Sequence, residues 1–182
     1  MGLFGTFRAP REILFGAGQR KALGAVARRL GLRALVVTDE RLAQDSVFLA
    51  MIADLTAHGV TTRIEAGTLP DVPVASAQIA ADAARPFAPD LVIGVGGGSC
   101  LDMAKCVALL LTHGGKAQDY YGELKVLGPV LPLIALPTTA GTGSEVTPVA
   151  VLSDDERTLK VGISSPYLIP VVAICDPELT LT

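Results

Sequence analysis

The stretch Asp90-Leu-Val-Ile-Gly94-Val-Gly96-Gly97-Gly98-Ser99-Cys100-Leu-Asp102-Met-Ala-Lys105 decides how this chain reads. Asp90 to Ile93 is an apolar run of the kind that forms a buried strand, and a helical pattern runs on from the glycines through Leu111. A strand turning through three glycines into a helix leaves bare backbone amides at the helix's positive end. No Cβ obstructs a ligand there, and amides and dipole both favour negative charge, so the segment predicts a diphosphate site. The spacing excludes two other nucleotide loops. A G-x-G-x-x-G fingerprint counted from Gly94 would need glycine where Ser99 stands, and the Gly-Lys-Ser/Thr of a Walker loop is absent.

Around this segment, strand-like apolar runs alternate with helical patterns, which predicts an α/β fold with a mostly parallel sheet, flanking helices and one domain. Helices are expected over 18–30, 40–58 and 74–84. Strands are expected at 34–37, 60–66, 130–136 and 171–175, and the region from Gly114 to Gly128 reads as irregular. Residues 146–152 and 159–163 flank Ser153-Asp154-Asp155-Glu156 as a β-hairpin.

Composition narrows the function. Half of the 182 residues are hydrophobic, so a sizeable core can form, and a formal net charge of −3 offers no basic footprint for nucleic acid. The most apolar segment, Val126–Leu136, is interrupted by Gly128, Pro129 and Pro132, so no membrane span is expected, and the N-terminus lacks the pattern of a secretory signal. Three cysteines without a C-x-x-C fit free thiols in a reducing cytoplasm. The two histidines, His58 and His113, each precede glycine near an expected helix end, a placement that suits helix C-termini better than a metal.

Several residues can carry chemistry. Ser99 and Asp102 form an S-x-x-D pattern, read as an N-cap and its capping-box partner, with Ser99 also placed to ligate a diphosphate. Asp39 ends the strand at 34–37, where ligands of open α/β sheets lie. It either accepts hydrogen bonds from ribose hydroxyls, which favours NAD over NADP, or caps the helix that follows. A second loop, Pro137-Thr138-Thr139-Ala140-Gly141-Thr142-Gly143-Ser144-Glu145, offers hydroxyls to a polar ligand or forms a solvated turn. Lys160 reads as an exposed strand lysine, and Cys100 as a small buried residue.

The two loops together, with Asp102, Lys105, the opening Ile13-Leu-Phe-Gly-Ala-Gly18 and the closing Asp176-Pro-Glu-Leu-Thr180, resemble the iron-containing alcohol dehydrogenase family, including its maleylacetate reductase-type members. Dehydroquinate synthase, a related clan member, shares the glycine loop but not the Ala-Gly-Thr-Gly-Ser-Glu continuation.

The resemblance implies a Rossmann-like cofactor domain with Asp39 on the adenosine ribose and Gly96, Gly97, Gly98 and Ser99 on the diphosphate. Thr138, Thr139, Thr142 and Ser144 would line the cleft, and Lys160 would lie near the nicotinamide ribose. It further implies hydride transfer between NAD and a small alcohol or carbonyl substrate. The family's iron or zinc is held by a helical C-terminal domain whose ligands do not occur here, so no catalytic or metal residue is assigned and the 182 residues alone are expected to be inactive. Asp71 stands where the family commonly has Asn. The uncovered apolar face that a missing domain would leave is compatible with a homodimer. The competing readings are a stand-alone dinucleotide-binding module without catalysis and a dehydroquinate synthase-like enzyme that uses NAD and a metal.

Overall fold

Each apolar run between turn signals becomes a strand in the computed structural model, which describes residues 6–154, 157 and 159–181. In chain order the elements are β1 (Glu12–Phe15), α1 (Leu23–Leu30), β2 (Arg33–Val37), α2 (Ser46–Ala57), β3 (Thr61–Glu65), α3 (Val74–Ala84), β4 (Leu91–Gly96) and α4 (Gly98–His113). Then follow β5 (Gly122–Glu123), β6 (Leu133–Pro137), β7 (Val149–Asp154), β8 (Leu159–Ser164) and β9 (Val172–Cys175). Six strands form one sheet in the order β1-β9-β6-β4-β2-β3, and every pairing in it is parallel. Strands buried on both faces lose the polar alternation of a half-exposed sheet, which is why β4 and β6 read as unbroken apolar runs.

Side chains still alternate between faces. Ala34 and Val36 of β2 join Leu91, Ile93 and Val95 of β4 against α1 and α2, through Leu23, Val26, Phe48, Met51 and Leu55. Leu35, Val37 and Val92 face the other way, against α3 and α4. Beyond α4 lies a second sheet in the order β5-β8-β7, so α4 is sandwiched between two sheets and buried from Cys100 to Leu110 except at Asp102. The antiparallel β7–β8 pair is the expected hairpin, starting at Val149 rather than Val146. Its turn residues Asp155 and Glu156 lie outside the described residues.

Three expectations are corrected. The helix expected over 18–30 is a 3-10 turn at Gln19–Ala22 followed by α1. The helix expected over 40–58 breaks, because Asp45 takes an extended conformation and its carboxylate accepts hydrogen bonds from Val47 N and Phe48 N. The α-helix therefore starts at Ser46, after a separate 3-10 turn at Leu42–Gln44. The region after Gly114 is not wholly irregular, for it holds a 3-10 turn at Ala117–Tyr120 and β5, whose parallel partner is the distant β8.

The first and last strands of the chain are tied together. β1 pairs with β9, and the buried Asp176 carboxylate accepts from Gly18 N, Arg20 N, Arg20 Nη1 and Glu178 N at 2.7–3.1 Å. Burial alone would raise its pKa; these donors outweigh burial and hold it below the usual carboxylate value. Asp176 thus has a structural task.

Candidate functional site

The strand order sets the place of the site. From β2 the chain passes through α2 outward to β3, whereas from β4 it passes through α4 the other way to β6. Adjacent strands whose connections diverge leave a crevice beyond their carboxyl ends, and Asp39, the glycine turn and Thr138 all lie there.

The glycine turn has two positions that exclude a side chain. Gly96 has φ +145°, and a Cβ there would stand 2.5 Å from Cys100 Sγ. A Cβ on Gly98 would stand 2.6 Å from Thr142 Cγ2, so the turn and the Thr-Gly loop pack directly against each other. Thr138 N also donates to Gly96 O at 2.9 Å, joining the ends of β4 and β6.

The N-cap of α4 is Gly97, not Ser99, and among the described residues no side chain caps this helix. Ser99 sits inside the first turn, where its hydroxyl accepts from Asp71 N at 3.2 Å. Asp102 does not close a capping box. Its Oδ1 accepts from Ser144 Oγ at 2.5 Å and its Oδ2 from Val151 N at 3.1 Å, so it holds the Thr-Gly loop and the hairpin instead. The first-turn amides of α4 are left without a local acceptor.

A cavity of about 760 Å³ opens over this helix start, lined by Asp39, Gly97, Gly98, Ser99, Thr138 and Thr139 among others. No helix starts at Glu40 for Asp39 to cap; its Oδ1 accepts from Leu42 N at 2.8 Å and its Oδ2 from Cys100 Sγ at 3.8 Å, while the residue lines the cavity. Cys100 is buried and its thiol is pushed up to about 12, first by burial and then by the Asp39 carboxylate, so it is no reactive thiolate. Sequence reasoning missed Arg41, Gln44 and Thr68 on the cavity wall; adjacency to Asp39 was the only signal for the first two. Thr38 and Thr68 are buried; among the described residues the Thr38 hydroxyl has no hydrogen-bond partner, while that of Thr68 lies against the Cys100 thiol.

A second cavity of about 450 Å³ shares Gly98 and Ser99 with the first and adds Asp71, Asp102, Thr142, Ser144, Thr147 and Lys160. Lys160 Nζ pairs with Asp71 Oδ1 at 2.6 Å across its mouth, with both side chains about three-fifths exposed (62% and 60%). The Ser144 hydroxyl is engaged inward, accepting from Lys105 Nζ at 2.9 Å and donating to Asp102. The histidines lie elsewhere: His58 Nδ1 is 2.9 Å from Asp54 O, and His113 Nε2 is 3.1 Å from Gly128 O.

Comparison with known proteins gives the family. The family model for iron-containing alcohol dehydrogenases matches residues 10–177. The chain belongs to that family. It is 37% identical over 171 residues to the sulfoacetaldehyde reductase of Bilophila wadsworthia, covering 93% of this chain and 44% of that protein. With the NAD-dependent methanol dehydrogenase of Bacillus methanolicus it shares 34% identity over 175 residues, covering 96% and 46%. The crystal structure of 1,3-propanediol oxidoreductase superposes with a TM-score of 0.94 at 31% identity, covering 97% of this chain and 47% of that one.

The chain therefore spans less than half the length of these iron-containing alcohol dehydrogenase relatives. The six-stranded parallel sheet with flanking helices corresponds to the Rossmann-like N-terminal domain of the family. Among the described residues no group of three or more His, Cys, Asp or Glu side chains could hold a metal ion, so these residues do not fit the family's iron. No described helix is long and apolar enough to cross a membrane.

Proposed function

We propose that this chain is the NAD-binding portion of an oxidoreductase that interconverts small alcohols and carbonyl compounds. The observation that carries the reading is the uncapped start of α4, placed over a cavity at the point where the strand connections diverge. A 16-residue helix with free first-turn amides is an anion site, and the cavity beside it has room for a nucleotide.

In this reading Gly96, Gly97, Gly98 and Ser99 hold the diphosphate, and the Asp39 carboxylate, which lines the cavity, accepts from the adenosine ribose. A carboxylate there repels a 2′-phosphate, which favours NAD over NADP. Thr138, Thr139 and Thr142 give hydroxyl contacts along the cleft, with Ser144 behind them fixing the loop. Lys160 reaches the nicotinamide ribose from β8, its direction set by Asp71. NAD, when bound, supplies a hydride acceptor or donor at its nicotinamide ring. No side chain is assigned here as general acid or base, and this reading expects the 182 residues to bind cofactor without turning over alcohol.

Calorimetric titration of the chain with NADH, and separately NADPH, tests this. Saturable binding with NADH at least tenfold tighter is expected. Absence of binding to either, or a preference for NADPH, would overturn it. An assay of alcohol oxidation with added iron or zinc should give no turnover above background.

A further inference from the structure

Lys105 is 1% exposed, yet it carries an ammonium into the interior between α4 and the second sheet. Its Nζ donates to Ser144 Oγ at 2.9 Å, Thr147 O at 3.0 Å and Val149 O at 2.7 Å, with Asp102 Oδ1 at 3.9 Å. Asp102, Ser144, Thr147 and Val149 all line the second cavity, which reaches Gly98 and Ser99. One buried cation thus fastens a cavity wall from behind, and its helix is the one that begins at the glycine turn.

Resting on the reading of this cleft as a cofactor site, we propose that Lys105 is a positioning residue whose ammonium holds the Thr-Gly loop against the glycine turn and favours an anionic diphosphate over the start of α4. A methionine of similar length would fill the space but supply none of the three hydrogen bonds and no charge.

Burial pulls the Lys105 pKa down to about 8, against the opposing pull of Asp102 and Glu145. Other groups on the elements packed around it are engaged elsewhere. β4 and β6 carry only apolar residues and glycine. Arg85, just after α3, bonds Leu110 O and Asp82; Asp154 of β7 accepts from the Tyr121 hydroxyl; Lys160 of β8 pairs with Asp71. The cysteine thiols are all raised above their usual range.

Two opposite pH signs follow. The folded-state pKa lies below the ordinary 10.5, so losing the proton as pH rises through about 8 stabilises the free chain. A diphosphate favours the protonated form, so its binding takes up a proton near pH 8 and weakens above it. A purely structural lysine would show the first effect without the second.

Titration with NADH in buffers of different ionisation enthalpy reads that proton directly. Wild type should take up roughly 0.4 proton at pH 8 and bind about fivefold more weakly at pH 9 than at pH 7. Lys105→Met should bind more weakly at pH 7, with no uptake and no slope. Should Lys105→Met not fold, Asp102→Asn serves: it removes a charge that holds the ammonium's pKa up, so the fall in affinity should begin at lower pH. NADH binding by wild type without proton uptake, or a slope unmoved in both variants, overturns the inference alone. Absence of NADH binding by wild type at any pH overturns the cofactor reading and the inference together.

Discussion

Helices α2 and α4 both follow parallel strands of the same sheet, on opposite faces, and they begin in opposite ways. At α2 the Asp45 carboxylate accepts from Val47 N and Phe48 N, so the chain satisfies its own helix start. At α4 the cap is Gly97, no described side chain accepts from the first-turn amides, and Ser99 and Asp102 are engaged elsewhere: Ser99 with Asp71 and Asp102 with Ser144 and Val151. A capped start is a stability device worth about 1 kcal/mol. An uncapped start over a cavity forgoes that stability and leaves amides for an anion. On the proposed reading, the cofactor binds where local self-satisfaction is withheld.

Substitutions can break this contrast. The largest effect is expected at Gly96→Ala, which forces a left-handed backbone and a clash with Cys100 at once. NADH binding should be lost and folding stability should fall by about 3 kcal/mol in denaturant melts. Next is Gly97→Asp, which would give α4 the cap that α2 has. Its φ of −71° suits any residue, and a Cβ would meet Thr139 at an ordinary 3.5 Å. The variant should gain about 1 kcal/mol of stability and lose NADH affinity by about a hundredfold, since its carboxylate competes with the diphosphate. Simultaneous gain of stability and retention of affinity would break the comparison.

Asp39→Ala should act more mildly. Removing the ribose acceptor and the bond to Leu42 N lowers NADH affinity by about tenfold, the worth of one charged hydrogen bond, and narrows the preference over NADPH. The smallest effect sharpens the contrast from the other side. Asp45→Ala should cost about 1 kcal/mol in chemical melts and leave NADH affinity unchanged, because the start of α2 serves only the fold.

The alternation of strands and helices was legible because Gly and Pro punctuate it. The helix at Val74–Ala84, set between Pro73 and Pro86, has the bounds that the sequence predicts. The glycine turn was legible for the same reason. What the sequence hides is competition from distant partners. Ser99 and Asp102 have the spacing of a capping box, but Asp102 is drawn to Ser144 and Val151, more than forty positions away. The break at Asp45 was hidden because apolar periodicity runs through it without glycine or proline. β5 was hidden because two residues carry no pattern and their partner is β8. Lys105 sits among apolar helix residues and gives no sign of the carbonyls of Thr147 and Val149 that it meets.

The most direct test follows backbone amide resonances of the ¹⁵N-labelled chain during titration with NADH. The amides of Gly98, Ser99 and Cys100 at the start of α4 should shift and saturate together, while those of Val47 and Phe48 at the start of α2 stay in place. Saturable binding that leaves the α4 amides unmoved, or moves both helix starts alike, would contradict the assignment of the open helix start as the diphosphate site.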